Sequence, residues 1–554
     1  MRRSLTACAI GALILIASVA PAQAGEFGPT PNLVKDIDPG LAKSFLDGGV
    51  ALGSRFVFSA NDGGGGDNLP WITDGTKAGT KALSTVAFDP KEFTAFNGKI
   101  YFSAADANGR ELWRTDGTTA GTVRAYDLNA GPGNSDPAGL TVAGTALYFD
   151  AKPAGSGKEL YRFNAPPAIG PAQPPINVTG FGGTAGVGVV TAFGSNVVFS
   201  SSGGGNGWEP WIYESSGPTL GKHQLKDINT AGDSFPSEFT VLGDSVVFRA
   251  DDAGANGFEL WVTKGTPATT ALVKDINPGA GNSFPQHFTA YDGGLLFQAT
   301  TVADGTELWA TDGTHGGTQL VYDIAPDSTP SDPSFFTVFN GSVYFSAKTG
   351  PLGYELWVTR GGPGTTHLVK DIYPGTSNSA PRDLKVSAGS LYFSAGDASH
   401  GDELWRSNGT ASGTVRISDI QPGLSDSFPT LLGSVSNTLF YSADDGVHGF
   451  ELWSYTTRGS ATRITAKSSY SRATDKNKKV YVSVKVTATG TVPTGKVTLK
   501  LGSTVIGSGT LSSGKVSIRL TKTLGKGSHK IRAYYAGSVR ARTSTSALTI
   551  VKVN

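Results

Sequence analysis

The residues that decide the fold are Glu451-Leu452-Trp453, together with the earlier copies of this triplet. Toward the N-terminus a tryptophan recurs every 48 residues, and steps of 50, 50, 48 and 42 residues then continue the series. The series is Trp453, Trp405, Trp357, Trp309, Trp261, Trp211, Tyr161, Trp113 and Trp71. Eight of the nine tryptophans fall in this register, and Trp208 lies outside it. Self-similarity at a fixed period of this size indicates a repeat architecture.

One repeat unit has the turn pattern of four short strands, as residues 335–372 show. Asn340-Gly341 predicts a two-residue hairpin turn after the first strand. The β-branched and aromatic run 343–347 predicts the second strand, and 355–358 and 367–372 predict the third and fourth. Four strands in 45–50 residues are typical of a propeller blade. We therefore predict an all-β fold with one large β-propeller.

The number of blades is eight or nine. Nine copies of the second and third strands predict nine blades, and eight is the alternative if the copy at 152–180 is too distorted to count. The fourth-strand motif is phased differently, because Leu33–Ile37 precedes the first blade and no copy follows Trp453. We predict that this N-terminal segment pairs into the last blade and closes the ring, which removes exposed sheet edges. The prolines that interrupt the distorted copy are Pro166, Pro167, Pro171, Pro174 and Pro175.

Two motifs carry resemblances to known families. Glu307–Thr314 and Glu111–Thr118 both read ELW-x-x-DGT. This pattern resembles the bacterial ELWxxDGT repeat family, also called hyalin-like, over about 30–459; the resemblance implies a secreted or surface protein with no settled activity. The spacing of Ala443, Asp445, Gly449, Glu451 and Trp453 is similar to the tryptophan-docking motif of quinoprotein propellers. That similarity implies that each indole stacks between two blades.

Both ends of the chain differ from the repeats. Residues 1–24 are typical of a secretory signal peptide, because Arg2 and Arg3 precede an apolar stretch too short to span a bilayer. Cys8 is the only cysteine and would leave with the signal, so we expect no disulfide in the mature chain. We predict a signal peptide at 1–24, the propeller at 25–459 and a further domain at 460–554, in a bacterial protein that is secreted or associated with the cell wall and has no membrane span after signal removal.

The C-terminal region is strongly basic. Residues 460–554 carry 18 Lys and Arg and one acidic residue, a net charge of +17 in a chain whose total is +1. Residues 25–459 are correspondingly acidic, at −18. About seven short alternating strands predict an Ig-like β-sandwich, and segments such as Pro493-Thr494-Gly495 and 527–531 resemble bacterial Ig-like domains.

Alternation along these strands places six basic side chains outside, where we expect one face to attract polyanions such as wall teichoic acid, or nucleic acid without sequence specificity. A merely solvated surface is the alternative interpretation. The six residues are Lys496, Lys500, Lys515, Arg519, Lys530 and Arg532.

The glutamate before Leu-Trp recurs in eight copies, each with a glycine two residues earlier. Catalysis needs unlike groups in one asymmetric site, so this repetition predicts a structural role: bonding to backbone amides of the adjoining loop or blade. The repeated aspartate of the Asp-Ile motif has the same interpretation. The glutamates are Glu111, Glu159, Glu209, Glu259, Glu307, Glu355, Glu403 and Glu451.

Two further features are candidate sites. The loops between second and third strands are rich in oxygen ligands that Ca²⁺ prefers, and Asp106, Asn108, Asp251 and Asp252 are the candidates, with turn formation as the alternative. No other cofactor is expected. Trp208 is a candidate to stack on a sugar ring or a partner side chain, with packing against the turn at Pro210 as the alternative.

The leading hypothesis is a secreted, non-enzymatic binding or adhesion protein. The propeller presents loops to an extracellular glycan, a cell-wall polymer or a protein, and the basic domain is a stalk or anchor. No phosphate loop, nucleophile elbow or metal-spaced histidine pair is present in the sequence. A propeller enzyme of glycosidase or lyase type is one alternative, and it predicts unlike acids, or an arginine with a carboxylate pair, drawn from different blades. A structural surface-layer component is the other, and it predicts self-assembly.

Overall fold

The computed structural model describes residues 31–64, 66–164, 173–254, 256–457, 460–465, 481–488, 493–521, 524–525, 527–535, 544–546 and 549–553. The predicted signal peptide at 1–24 lies outside these residues. Apart from two single-turn 3₁₀ helices, Pro267–Thr269 and Pro363–Thr365, the regular structure is β-strand. No helix in this described portion is long and apolar enough to cross a membrane. The chain divides between positions 459 and 460 into two compact units.

The first unit is a β-propeller, and in its described residues nine four-stranded antiparallel sheets follow one another. Blades 1 to 4 consist of β2 (Asp47–Leu52), β3 (Arg55–Ala60), β4 (Leu69–Thr73) and β5 (Lys81–Ala82); β6 (Phe88–Phe96), β7 (Lys99–Asp106), β8 (Gly109–Thr115) and β9 (Val123–Tyr126); β10 (Ala138–Ala143), β11 (Ala146–Ala151), β12 (Glu159–Asn164) and β13 (Ile176–Asn177); and β14 (Val187–Phe193), β15 (Asn196–Ser201), β16 (Glu209–Glu214) and β17 (Gly221–Gln224). Blades 5 to 8 consist of β18 (Ser237–Leu242), β19 (Ser245–Asp251), β20 (Phe258–Thr263) and β21 (Ala271–Lys274); β22 (Gln286–Tyr291), β23 (Gly294–Thr301), β24 (Gly305–Thr311) and β25 (Gln319–Tyr322); β26 (Ser334–Phe339), β27 (Ser342–Ala347), β28 (Glu355–Thr359) and β29 (His367–Lys370); and β30 (Arg382–Ser387), β31 (Ser390–Asp397), β32 (His400–Ser407) and β33 (Val415–Arg416). Blade 9 combines the first strand of the chain, β1 (Asn32–Lys35), with β34 (Thr430–Val435), β35 (Thr438–Asp444) and β36 (Phe450–Thr456).

The prediction of a propeller is confirmed, and of its two blade counts nine is right and eight is wrong. The distorted copy forms a complete blade 3, in which Tyr161 takes the place of tryptophan. Its fourth strand is shortened to Ile176–Asn177. Fourth strands of two residues also occur in blades 1 and 8, and the three inner strands of blade 3 are paired along their length. Pro166, Pro167 and Pro171 lie outside the described residues.

The ring closes through the N-terminal strand, as predicted. Strand β1 pairs antiparallel with β36, and Leu33 stands opposite Trp453. Val34 and Ile37 are buried in a cluster that also contains Trp71 of blade 1. The innermost strands contact one another in cyclic order, and β34 of blade 9 contacts β2 of blade 1. A segment from the start of the chain therefore completes the last blade.

The hydrophobic core consists of layers between neighbouring blades. Leu260 and Val273 of blade 5, for example, pack with Phe297 and Trp309 of blade 6. Other interfaces repeat this arrangement with the equivalent residues. Each indole therefore lies against the outer strands of the preceding blade, as the docking motif implies. Burial of one large apolar side chain contributes about 1.5–3 kcal/mol, so the stability of the ring is distributed over its interfaces.

The second unit is a β-sandwich, and the described part of it has eight strands. They are β37 (Ser460–Thr465), β38 (Tyr481–Ala488), β39 (Gly495–Leu501), β40 (Thr504–Leu511), β41 (Lys515–Arg519), β42 (Gly527–Tyr535), β43 (Ser544–Thr545) and β44 (Thr549–Val553). One sheet has the order β37-β38-β41, and the other has β40-β39-β42 with β43 and β44 also paired to β42. The core between the sheets contains Val497, Leu499, Ile518 and Ile531, which alternate along the strands with the basic residues that point outward.

Candidate functional site

One face of the propeller carries the long connections. The chain passes from the outer strand of each blade to the innermost strand of the next through a crossover such as 275–285. Because consecutive strands are antiparallel, the loops between second and third strands, such as 252–257, open on the same side. We call this side the crossover face. The opposite side, the turn face, carries the short hairpins such as 312–318.

The repeated glutamates hold the crossovers in place through hydrogen bonds, and we call these glutamates the clamps. Glu259 accepts hydrogen bonds from the Ile276 amide (2.8 Å), the Ser283 amide (3.0 Å) and the Ser283 hydroxyl (2.6 Å). Glu307 binds Ile324 and Ser331 in the same way. These carboxyl groups are fully buried. The prediction that the repeated glutamates bond to backbone amides is therefore confirmed.

Burial raises the pKa of these clamps, and the serine hydroxyls and backbone amides oppose the rise. The pKa reaches about 7 for Glu259, Glu307, Glu355 and Glu451. The geometry accommodates a neutral carboxyl, because the serine hydroxyl beside it has a second partner. The Ser283 hydroxyl lies 3.3 Å from the carbonyl oxygen of Phe258. It can therefore accept a hydrogen bond from the neutral carboxyl group and donate its own hydrogen to that carbonyl.

These clamps make the propeller less stable as the pH rises from 5 to 8. A folded-state pKa of about 7 lies above the ordinary value of 4.5, so the folded state binds the protons more tightly. The resulting stability is complete below pH 4.5 and is lost as the pH rises through 7. We expect each of the four groups to contribute on the order of 1–3 kcal/mol. Calorimetry across this range at constant ionic strength should show a falling melting temperature; a rise would contradict the assignment.

The repeated aspartates differ from the glutamates. Asp275 Oδ2 accepts a hydrogen bond from the Gly279 amide (3.1 Å), but Asp275 Oδ1 is buried without a hydrogen-bond partner in the described structure. The prediction that these aspartates bond to backbone amides is therefore confirmed for Oδ2 of Asp275, whereas Oδ1 makes no such bond. The same orphaned oxygen occurs in Asp36, Asp127, Asp227, Asp323 and Asp371.

The calcium candidates lie in two separate loops. Asp106 Oδ1 accepts the Asn108 amide hydrogen (2.7 Å) in blade 2, and Asp106 Oδ2 lies 3.8 Å from the Arg124 guanidinium. In blade 5, Asp251 accepts from the Ala253 amide, and Asp252 accepts from Asn256. Among the described residues, no group of three or more histidine, cysteine, aspartate or glutamate side chains is placed to hold a metal. The four candidates have the geometry of the turn interpretation.

Trp208 occupies a repeated position, which the tryptophan register concealed. It directly precedes the repeated glutamate, at Glu209, and its ring lies over Gly186 and Gly188. A Cβ at Gly186 would come within 2.5 Å of the indole, so Trp208 packs against this strand of its own blade. We call the equivalent residues of the nine blades the rim residues. They are Asn68, Arg110, Lys158, Trp208, Phe258, Thr306, Tyr354, Asp402 and Phe450.

The rim residues are chemically unlike, whereas the repeat around them is nearly constant. They are aromatic in blades 4, 5, 7 and 9, and in blades 5 and 9 a crossover phenylalanine stacks on them. Phe258 stacks with Phe284 at 5.4 Å between ring centroids, and Phe450 stacks with Phe428 at 6.5 Å. Four crossover phenylalanines stay exposed, from 43% to 62%: Phe45, Phe235, Phe284 and Phe428. We call Trp208, Phe235, Phe258, Phe284 and Tyr354, which follow blades 4 to 7, the aromatic arc.

Blades 2 and 3 carry charged rim residues in an asymmetric cluster. Arg110 pairs with Asp89 at 2.6 Å, and Lys158 pairs with Asp150. Burial raises the pKa of Asp150; Lys158 opposes this, and Glu92 and Asp136 add to it. The charges of Glu92 in blade 2 and of Asp136 in the crossover before blade 3 therefore act on Asp150 of blade 3. The enzyme alternative predicts unlike groups that come from different blades in this way.

The basic residues of the sandwich point outward, as alternation predicts, but they do not share one face. Lys496 and Lys500 on β39 and Lys530 and Arg532 on β42 belong to one sheet. Lys515 and Arg519 on β41 belong to the other sheet. The expectation of a single basic face is therefore wrong, because alternation along a strand cannot tell which of two packed sheets the strand joins.

Comparison with known proteins identifies the C-terminal unit. Residues 464–554 match the bacterial Ig-like domain (group 3), which confirms the Ig-like prediction. A search of curated proteins finds no match to the chain.

Solved structures resemble the chain at low identity. A puromycin hydrolase mutant is 16% identical with a TM-score of 0.33, over 64% of this chain and 58% of that one. A prolyl endopeptidase is 10% identical with a TM-score of 0.38, over 67% and 55%. The β-propeller domain of the Trilobed protease from Pyrococcus furiosus is 11% identical with a TM-score of 0.33, over 57% and 95%. The chain thus spans little more than half the length of the first two proteins. At these TM-scores the likenesses carry no argument about its activity.

Proposed function

We propose that this chain is an extracellular binding protein. Its propeller binds a glycan on the crossover face, and its basic Ig-like domain attaches it to anionic surface polymers. The observation that carries the proposal is the contrast between the constant repeat and the varied rim. The repeated glutamates are used as clamps and the repeated tryptophans as core, so the rim is where the blades differ in what they present.

The aromatic arc supports a glycan as the ligand. Aromatic rings offer a flat apolar surface with little conformational entropy to lose, and a sugar ring has an apolar face of matching size. Phe235 is 53% exposed and Phe284 is 43% exposed, so these rings are free to take a ligand. Because the arc follows several blades, it suits an extended chain with several residues in contact. The resemblance to ELWxxDGT proteins, which implies a surface location, is consistent with such a ligand.

The Ig-like domain supports attachment to a polyanion. Lys500 stands directly opposite Arg532, and Lys485 stands directly opposite Lys515. Like charges that face each other across strands are destabilising. The sequence from 460 to 554 offers one acidic residue, Asp475, to offset 18 basic ones. A polymer of negative charge would relieve this repulsion, and its binding would weaken as salt increases.

Removal of three rings of the arc, the exposed Phe235 and Phe284 and the half-buried Trp208, tests the glycan site. We expect the triple variant Trp208→Ala, Phe235→Ala and Phe284→Ala to lose about tenfold or more in affinity for an insoluble polysaccharide that retains the wild type, since each stacking contact contributes about 0.5–1.5 kcal/mol. Leu220→Ala removes an exposed side chain from the turn face and is the matched control. The measurement is a depletion assay over a panel of plant, fungal and bacterial cell-wall polysaccharides. Equal binding by the triple variant, or no binding by the wild type, would contradict the proposal.

A second candidate function is glycoside hydrolysis, which the asymmetric cluster favours. A buried carboxyl with a raised pKa is suited to be a general acid, and Asp150 meets this description, with the exposed carboxylate of Glu92 in its vicinity. If this function holds, Asp150→Asn abolishes release of reducing ends from the polysaccharide while binding persists. If the wild type releases no reducing ends from any bound polysaccharide, the binding function stands without hydrolysis.

A further inference from the structure

Blade 1 has a glycine, Gly48, at the start of its innermost strand, where most other blades have a residue with a side chain. Gly48 follows Asp47 on β2, and strand pairing places it level with six non-glycine residues on the innermost strands of other blades, Val189 and a further five. Those five residues have φ between 55° and 63°, and Gly48 has φ of 55°. The backbone therefore does not require glycine at this position. The five are Glu92, Glu238, His287, Phe335 and Asp383.

The missing side chains leave a cavity of about 440 Å³ between blades 1 and 2, where their innermost strands begin. Its lining includes Asp47, Pro90, Lys91, Glu92 and Phe93. A Cβ built on Gly48 would lie 3.5 Å from Cδ2 of Phe93, so the glycine leaves this ring uncovered. A volume of this size lies in the range that holds a small ligand.

The lining presents charges of both signs beside apolar surface. Asp47 and Glu92 are exposed and offer acceptor oxygens. Lys91 is 56% exposed and pairs with Asp89 at 2.9 Å, which leaves other ammonium hydrogens free to donate. A cationic ligand would meet Lys91, and an anionic ligand would meet two carboxylates. The lining therefore favours a neutral ligand that both donates and accepts hydrogen bonds and has an apolar face for Phe93.

We propose that this cavity binds one or two residues of a neutral glycan. The inference rests on the proposed function, and it adds a subsite outside the aromatic arc. Phe93 and Pro90 contact the apolar face of the sugar ring. Asp47 and Glu92 accept hydrogen bonds from its hydroxyls, and Lys91 donates to a hydroxyl or ring oxygen.

Filling the cavity tests the subsite without removing any ligand-binding group. Gly48→Val introduces a side chain that blade 4 already carries at this level, as Val189 with φ of 45°. Gly139→Val is the matched control, since Gly139 has φ of 63° and its Cβ would lie 3.5 Å from Val190. The probes are neutral disaccharides of glucose, galactose, mannose and N-acetylglucosamine, with tri-lysine as the cationic comparison. Binding to the mature chain is measured by saturation-transfer NMR and calorimetry.

We expect at least one disaccharide to bind to the wild type. Gly48→Val should weaken that binding by about tenfold or more, because the cavity is filled. Gly139→Val should leave the affinity within about twofold of the wild type. Equal binding by Gly48→Val and wild type would overturn the proposal, and so would a preference for tri-lysine. Polysaccharide binding that depends on the aromatic arc, without disaccharide binding, would overturn the subsite alone. Disaccharide binding lost in Gly48→Val, with polysaccharide binding indifferent to the arc, would overturn the proposed arc and keep the subsite.

Discussion

Deletion of residues 31–38 should lower the melting temperature of the propeller by about 10 °C. The deletion removes strand β1 and the burial of Val34 and Ile37, each worth about 1.5–3 kcal/mol. It also removes the Ile37 and Asp38 amides from Glu451, at 2.7 and 3.2 Å, and leaves a buried carboxyl short of partners. A loss of roughly 8 kcal/mol divided by the unfolding entropy of a unit this large gives the expected shift.

Calorimetry on the deletion variant and on Asn32→Ala checks this expectation. Asn32 is an exposed residue of the same strand, so its replacement should shift the melting temperature by about 1 °C or less. A synthetic peptide of residues 31–38 should restore part of the loss, since the groove between blades 9 and 1 is then refilled. An unchanged melting temperature after the deletion would mean that the ring is not closed by its N-terminal strand.

Replacement of one clamp should destabilise the propeller strongly. Glu307→Ala removes the acceptor of the buried Ile324 amide. It also removes one of the two acceptors of the Ser331 amide and hydroxyl, which keep the carbonyl of Thr306. We expect a loss of about 3–5 kcal/mol in the free energy of unfolding. Glu307→Gln should cost less than about 1.5 kcal/mol near pH 5, because the neutral carboxyl that it resembles is the form present there.

Chemical denaturation at pH 5 and pH 8 separates these variants. The wild type should lose stability between the two values, and Glu307→Gln should lose less, since it has no proton to release at this site. If Glu307→Ala and Glu307→Gln were equally stable, the hydrogen bonds to the crossover would contribute little. The repeated glutamate would then need another explanation.

The sequence predicts the scaffold well because the scaffold is repeated. Nine copies of one turn-and-strand pattern can be compared with one another. A disrupted copy, such as that around Tyr161, can therefore be assigned as a blade even though its own sequence is ambiguous. Closure of the ring can be predicted from the order of the strand motifs along the chain. Leu33–Ile37 has the fourth-strand pattern, and the last blade has no fourth strand of its own. The role of the glutamates follows from symmetry, because eight identical groups cannot divide the unlike tasks of catalysis.

The candidate sites were harder to predict, because they lie where the repeat varies. Trp208 belongs to the rim, but the stronger Leu-Trp register hides its position one residue before the glutamate. Gly48 is one of 75 glycines, and only strand pairing shows that other blades carry side chains at its level. The division of Lys500 and Lys515 between two sheets depends on strand order, which alternation does not contain.

Hydrogen–deuterium exchange of the full chain, with and without a bound polysaccharide, would show where the propeller holds its ligand. We expect protection at the crossover-face segments 203–208, 230–236 and 279–285, and none at the turn-face hairpins 74–80 and 312–318. Exchange reports the local opening of each segment, so a bound ligand should slow it where contacts form. Protection confined to the turn face, or to residues 460–554, would contradict the proposal that the varied rim of the propeller holds the glycan.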